Sequence, residues 1–299
     1  MREKYFLNDY LNTVDFPFSI KMLMHNGDIL THTHDFTELV IILEGTARHR
    51  VNREEYPLKA GDVFVVNGSG AHGYSNACRL ALCNIMFDFN RFLDYEPELK
   101  KLPGFQSLFI LEPCFRSEHK FESKLQLAPP QLNLVRQLLD LLDQEYSAKK
   151  NGYQAMVHAY FHTLVAYLSR HYSTGNNRLS DKLLNLAGSI AYLEGNFLED
   201  VTVRQLADLS FLSARQYSRV FKNAYKMTPK GYMIRLRLDY ACTLMKNSML
   251  TLSQIAIESG FSDISFFSRL FKQKYGVSPK EYRKNILKQV QSSKAPYQA

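Results

Sequence analysis

The sequence is sparing with several things, and each scarcity excludes something. Among 299 residues there are four cysteines, Cys78, Cys83, Cys114 and Cys242, with no CxxC pair and no zinc-finger spacing. That excludes a disulfide framework and reads as reduced thiols in a cytosol. No apolar run approaches the ~20 residues that cross a bilayer, and the opening MREKYFLNDYLNTVDF has no apolar segment of the signal-peptide kind. The expected setting is therefore cytoplasmic, with no membrane partner. Excess positive charge is missing from residues 1–177, which hold 18 Lys and Arg against 20 Asp and Glu; the net +8 comes entirely from residues 178–299, with 19 against 9. A 45% hydrophobic share leaves room for two domains with proper cores.

What is abundant is repetition. LSARQYSRVFKNAYKMTP (212–229) and FSDISFFSRLFKQKYGVSP (261–279) share one pattern at an offset of 49, which becomes 50 after Ser213 and Ser262. Two copies do not make a solenoid. Each copy reads as two short helices joined by a turn. Leu206-Ala207 and Ile255-Ala256 lie on the first helices, Gly260 suits a left-handed helix end, and Ser213 and Ser262 or Asp263 are helix caps. On the second helix of each copy, Tyr217, Val220 and Phe221, and likewise Phe267, Leu270 and Phe271, form an anchoring stripe. Arg215, Ser218 and Arg219, and likewise Ser265, Ser268 and Arg269, take the other side. A solvated basic face is the ordinary reading of one such helix. Two copies with the arginine kept in register point instead to major-groove readout, because guanidinium forks fit guanine O6 and N7.

The charge asymmetry agrees independently, since a basic domain on a slightly acidic one is the footprint of polyanion binding. Residues 182 to about 285 resemble the DNA-binding domain of the AraC family of bacterial transcription regulators. The resemblance is most specific over Gly260-Phe261-Ser262-Asp263, Ser265, Phe267-Ser268-Arg269, Phe271-Lys272, Gly276, Ser278-Pro279 and Tyr282-Arg283. It implies two helix-turn-helix units joined by a long helix, on which Ile234, Leu238, Ala241 and Met245 recur at helical spacing. Carried over by position, it implies base or backbone contacts from Arg215, Ser218 and Arg219 in the first unit and Ile264, Ser265, Ser268, Arg269 and Lys272 in the second. Arg235 and Arg237 are expected at phosphates. Ile264 departs from the polar residues usual there, and can read a thymine methyl or nothing.

Upstream, LVIILEG (39–45), ARHRVN (47–52) and DVFVVN (62–67) read as short strands between Gly and Pro turns, a small barrel or jelly roll. HTHDFTELVIILEG followed by GDVFVVNGSGAHGY is similar to a cupin, and the runs around His32-Thr33-His34, Tyr56-Pro57-Leu58 and His72-Gly73-Tyr74-Ser75 resemble the rhamnose-responsive regulators of the AraC family. The order and spacing of His32, His34, Glu38 and His72 match a cupin metal-ligand set. Asn67 and Ser69 stand where the second cupin motif carries Pro and Gly. The preferred reading is a metal-free polar effector pocket made of His32, His34, Glu38, His72, Arg48 and Tyr74, with no cofactor and no catalytic residue.

Between the halves, Leu134, Leu138, Leu141 and Leu142, then Met156, Tyr160, Leu164 and Leu168, give two helices. The resemblance implies that they pair protomers, the alternative being that they only cover their own sheet. The organisation expected is multidomain α+β: a cupin-like β-barrel sensing domain (1–125), a helical hairpin (126–173), a polar linker (174–181), an all-α DNA-binding domain with two helix-turn-helix units (182–288) and a polar tail (289–299). The function expected is a DNA-binding transcription regulator, an activator of carbohydrate-utilisation genes. Its expected partners are double-stranded DNA, a small polar effector such as a sugar, a second copy of itself and RNA polymerase. The competing class is a metal-dependent cupin enzyme with a basic appendage.

Overall fold

The computed structural model describes residues 3–11, 15–51, 54–68, 70–94, 96–117, 125–172 and 178–293. Two compact units account for the chain: Met1–Tyr192 with Leu209–Phe211, and Leu193–Asp208 with Leu212–Ala299.

The first unit is built on one seven-stranded sheet. Its strands are β1 (Glu3–Tyr5), β2 (Phe18–His34), β3 (Thr37–Val51), β4 (Glu54–Lys59), β5 (Asp62–Asn67), β6 (His72–Phe87) and β7 (Leu125–Gln126). They run in the order β1-β2-β6-β3-β5-β7, with β4 paired to β3. Three strands are long enough to bend. Register shifts interrupt β2 against β6 between His25 and His32, and β3 against β6 between Ile42 and Arg48, and such bulges sharpen twist and curl a sheet. Gly45 shows why glycine is needed there: its φ is +76°, and a Cβ would lie 2.1 Å from the Arg79 carbonyl oxygen. The curled sheet encloses an apolar core of Val40, Ile42, Phe64, Val66, Leu80 and Leu82.

Two helices cover the sheet, α1 (Pro129–Ala148) and α2 (Tyr153–His171). An aromatic seam joins them to it, with Phe18 edge-on to Tyr146 and Phe161, and Phe87 edge-on to Phe161 at 4.9 Å. The stripe that α1 buries is Leu132, Val135, Leu139, Leu142 and Tyr146. This corrects the expected stripe: only Leu142 of that set is buried, while Leu134 and Leu141 are each 41% exposed. Both stripes satisfy helical spacing, and burial of the other one leaves a second apolar row outside.

The helical region runs α3 (Arg178–Asn196), α4 (Val203–Leu209), α5 (Ala214–Tyr225), α6 (Pro229–Asn247), α7 (Leu252–Glu258), α8 (Ile264–Tyr275) and α9 (Pro279–Ser293). Residues 178–181, expected in the linker, open α3, and residues 289–293, expected in the tail, extend α9. The remainder of the expected linker up to 177, residues 294–299 and Ser69 lie outside the described residues. In the second unit, Leu238, Ala241 and Met245 of α6 pack with Ile255, Ala256, Phe261, Phe267 and Phe271. Among the described residues, no helix is long and apolar enough to cross a membrane.

Candidate functional site

Curling the sheet leaves a cavity of about 280 Å³, lined by Tyr5, Tyr10, Lys21, Leu23, His25, Ile29, His32, Phe36, Glu38, His72, Tyr74, Leu82, Asn84 and Met86. Residues from both halves of β2 line it, on either side of Gly27, where φ is +82° and the pairing with β6 shifts register. Strand pairing places the polar groups: His72 lies opposite His32 on β2 and opposite Val51 on β3, and Tyr74 lies opposite His49.

Glu38 and His72 of this wall, and His34 beside it, are almost fully buried. Asn84 donates its side-chain amide to Glu38 Oε1 at 2.6 Å, and His34 Nδ1 pairs with the Phe36 carbonyl at 2.8 Å. His72 Nδ1 shares a hydrogen bond of 3.3 Å with His49 Nε2. Burial holds the Glu38 carboxyl up at about 8 against the opposing effect of the Asn84 bond, and burial holds His34 down at about 4. Both shifts favour the neutral forms of these side chains.

Of the expected pocket residues, the structure brings His32, His34, Glu38, His72 and Tyr74 together. Arg48 does not join them. Its side chain is half exposed and bonds Glu55 at 2.7 Å, because alternation along β3 turns Ala47, His49 and Val51 inward and Arg48 outward. His49, which takes the inward place, and Asn84 went unassigned in the sequence. Alternation through ARHRV carries a signal for His49. Asn84 depends on the register of β6 and has no local signal.

The second surface is carried by α5 and α8. On α5, Tyr217 and Phe221 are buried, Arg215 and Arg219 are exposed and Ser218 is half-buried. On α8, Phe267 and Phe271 are buried, Ile264, Ser265, Arg269 and Lys272 are exposed and Ser268 is half-buried. Ser213 and Gln216 form a reciprocal capping box on α5. Asp263 rather than Ser262 caps α8, accepting from the Ser265 and Phe266 amides. The Arg269 guanidinium lies over the Phe266 ring at 5.4 Å, and that of Arg235 over Tyr232 at 4.7 Å. Arg237, expected at a phosphate, is turned inward. It donates to the carbonyls of Phe197, Glu199 and Gly260 at 2.7, 2.9 and 2.6 Å, so it braces the fold.

A profile described as a helix-turn-helix domain matches residues 206–285, and one described as an AraC-like ligand binding domain matches residues 29–165. The HTH-type transcriptional activator RhaS of Escherichia fergusonii is 30% identical over 278 residues, 92% of this chain and 95% of the relative. The chain belongs to the AraC family. A second activator of the same name, from Mannheimia succiniciproducens, is 27% identical over 285 residues, 95% of this chain and all of that one. Among solved structures, the DNA-binding domain of AdpA in complex with a target DNA aligns at 26% identity and a TM-score of 0.33, over 34% of this chain and 91% of that one. As an AraC-family member the protein is a DNA-binding transcription activator with a ligand-binding domain, and the enzyme reading falls.

Proposed function

We propose that the protein switches carbohydrate-utilisation genes in response to a sugar held in the cavity. One observation carries this: a small, partly open cavity whose wall combines imidazoles, a carboxylate, an amide and tyrosines. At about 280 Å³ it falls just below the ~300–1,000 Å³ range of ligand pockets, which suits a monosaccharide better than a larger molecule. His32, Glu38, His72, Tyr74 and Asn84 supply donors and acceptors for hydroxyl groups. The activators named RhaS and the resemblance to rhamnose-responsive regulators support rhamnose as the first sugar to try.

In this reading residues 1–125 sense the effector and residues 182–288 bind DNA. The hairpin of residues 126–173 pairs two protomers through its exposed row, Leu134, Leu141 and Met156, exposed by 41%, 41% and 40%. Arg215, Ser218 and Arg219 on α5, and Ile264, Ser265, Ser268, Arg269 and Lys272 on α8, face the major groove, with Arg235 near the backbone. Effector binding shifts the population of states that engage adjacent sites and recruit RNA polymerase in the cytoplasm.

Calorimetry of the full chain against a panel of monosaccharides tests the reading, with and without a chelator. One sugar should bind, and Glu38→Ala should weaken it by about 1–3 kcal/mol, one to two decades, by leaving a hydroxyl unpaired. Silence from every sugar under both conditions overturns it.

A further inference from the structure

Among the residues that line the cavity, Lys21 is the one lysine or arginine and Glu38 the one carboxylate. Glu38 is committed elsewhere, since its Oε1 accepts from Asn84 at 2.6 Å and its Oε2 faces His72 at 3.5 Å. Lys21 is exposed to solvent and stands at the cavity's rim, and no hydrogen bond or ion pair engages its ammonium among the described residues. Cations elsewhere on the same sheet do find carboxylates, Arg48 with Glu55 at 2.7 Å and Arg50 with Asp28 at 3.4 Å. The cavity mouth therefore carries a positive charge that its own wall does not answer.

Strand pairing sets what lies beside that charge. Lys21 is directly opposite Asn84 of β6, and side chains so placed start about 4.5–5.5 Å apart. Asn84 spends its amide hydrogens on Glu38, while its Oδ1 is buried with no hydrogen-bond partner, an arrangement that is costly until a donor arrives. A cation and an unsatisfied acceptor thus stand side by side, the one suited to an anion and the other to a hydroxyl. We propose that the effector carries both, a carboxylate held by Lys21 and a nearby hydroxyl that donates to Asn84 Oδ1, so that the cavity selects a sugar acid, a uronate or an aldonate, over the neutral sugar. One lysine without an arginine fork is a point charge that matches a carboxylate, whereas a phosphate ester brings roughly −1.5 to −2. Placement at the rim also leaves the anion partly hydrated, which avoids the cost of burying it. The inference rests on the sugar reading and narrows it.

The test is calorimetry of the full chain with matched pairs: galacturonate and galactose, glucuronate and glucose, rhamnonate and rhamnose. One acid should bind about 10–100-fold more tightly than its neutral partner, the worth of a charge-assisted hydrogen bond. That preference should shrink to about threefold or less in Lys21→Met and survive in Lys21→Arg, with added salt weakening the acid more than the neutral sugar. An equal or tighter neutral partner overturns the proposal, as does a preference undiminished in Lys21→Met. A neutral sugar that binds alone overturns the acid preference and leaves the sugar reading standing, while silence from acids and neutral sugars alike overturns both. Should Lys21→Met fail to fold by circular dichroism, the wild type decides: an acid preference that salt does not move counts against Lys21.

Discussion

The two helix-turn-helix units close their turns with the same hydrogen bond, Leu212 N to Ala207 O at 2.9 Å and Phe261 N to Ala256 O at 3.0 Å. The residue just before the donor differs. In the second unit it is Gly260 at φ +80°, in the first Phe211 at φ +52° and 82% exposed. A left-handed conformation costs a side-chain-bearing residue roughly 1–2 kcal/mol that glycine avoids. Gly260 is braced as well, since its carbonyl accepts from Arg237. Both copies share the geometry but only the second places glycine there, so the first turn should be the weaker of the two. The reading faces differ in the same spirit: α5 presents two arginines, whereas α8 presents Arg269 beside the apolar Ile264 and Phe266, 42% and 36% exposed.

Gly260→Ala should produce the largest effect. A Cβ there would lie 2.8 Å from Arg237 Nε and 3.0 Å from its Cζ, so the substitution strains the backbone and displaces the guanidinium from its carbonyls. Together these should cost about 2–4 kcal/mol, read as a lower urea midpoint of the helical transition by circular dichroism. A loss under about 0.5 kcal/mol, the scatter of ordinary surface changes, would show that the second turn is not the braced one.

Next in size come Arg219→Ala and Arg269→Ala. Each should weaken the cognate duplex by about 1–3 kcal/mol and relax preference at its own base pairs. Because α8 pairs its arginine with apolar neighbours, the base pairs tied to Arg269 should include thymine methyl contacts, and those tied to Arg219 should centre on guanine. Selection of binding sites from random duplexes checks this. The idea fails if both substitutions relax the same contiguous positions.

Much of this contrast was legible before any coordinates, for identifiable reasons. Period and register are local signals, so Tyr217, Phe221, Phe267 and Phe271 could be assigned inward and Arg219 and Arg269 outward from spacing alone. Arg237 could not, because its carbonyl partners lie 23 to 40 residues away and no local pattern marks them. The cavity divides the same way. His34, Glu38 and His72 stood out by residue type and spacing, but their outer partners His49 and Asn84 come together only through strand pairing. On α1 the sequence offered two leucine rows with equal periodicity, and only packing against Phe18 and Phe87 through α2 and the sheet shows which row is buried.

The smallest effect has the opposite sign. Phe211→Gly should relieve the roughly 1–2 kcal/mol left-handed penalty, while the added freedom of glycine in the unfolded chain takes back about 0.5–1 kcal/mol. Little buried surface is lost, because the ring is 82% exposed, so the net should be a gain of about 0.5–1 kcal/mol in the urea midpoint of the helical transition. Phe211→Ala is the companion measurement: it removes the ring and keeps the backbone penalty, so it should give almost none of that gain. If alanine stabilises as much as glycine, the ring rather than the φ angle was the source of the cost. If both substitutions destabilise, the exposed phenylalanine is held by something worth more than the strain, and the first turn is not the weaker one.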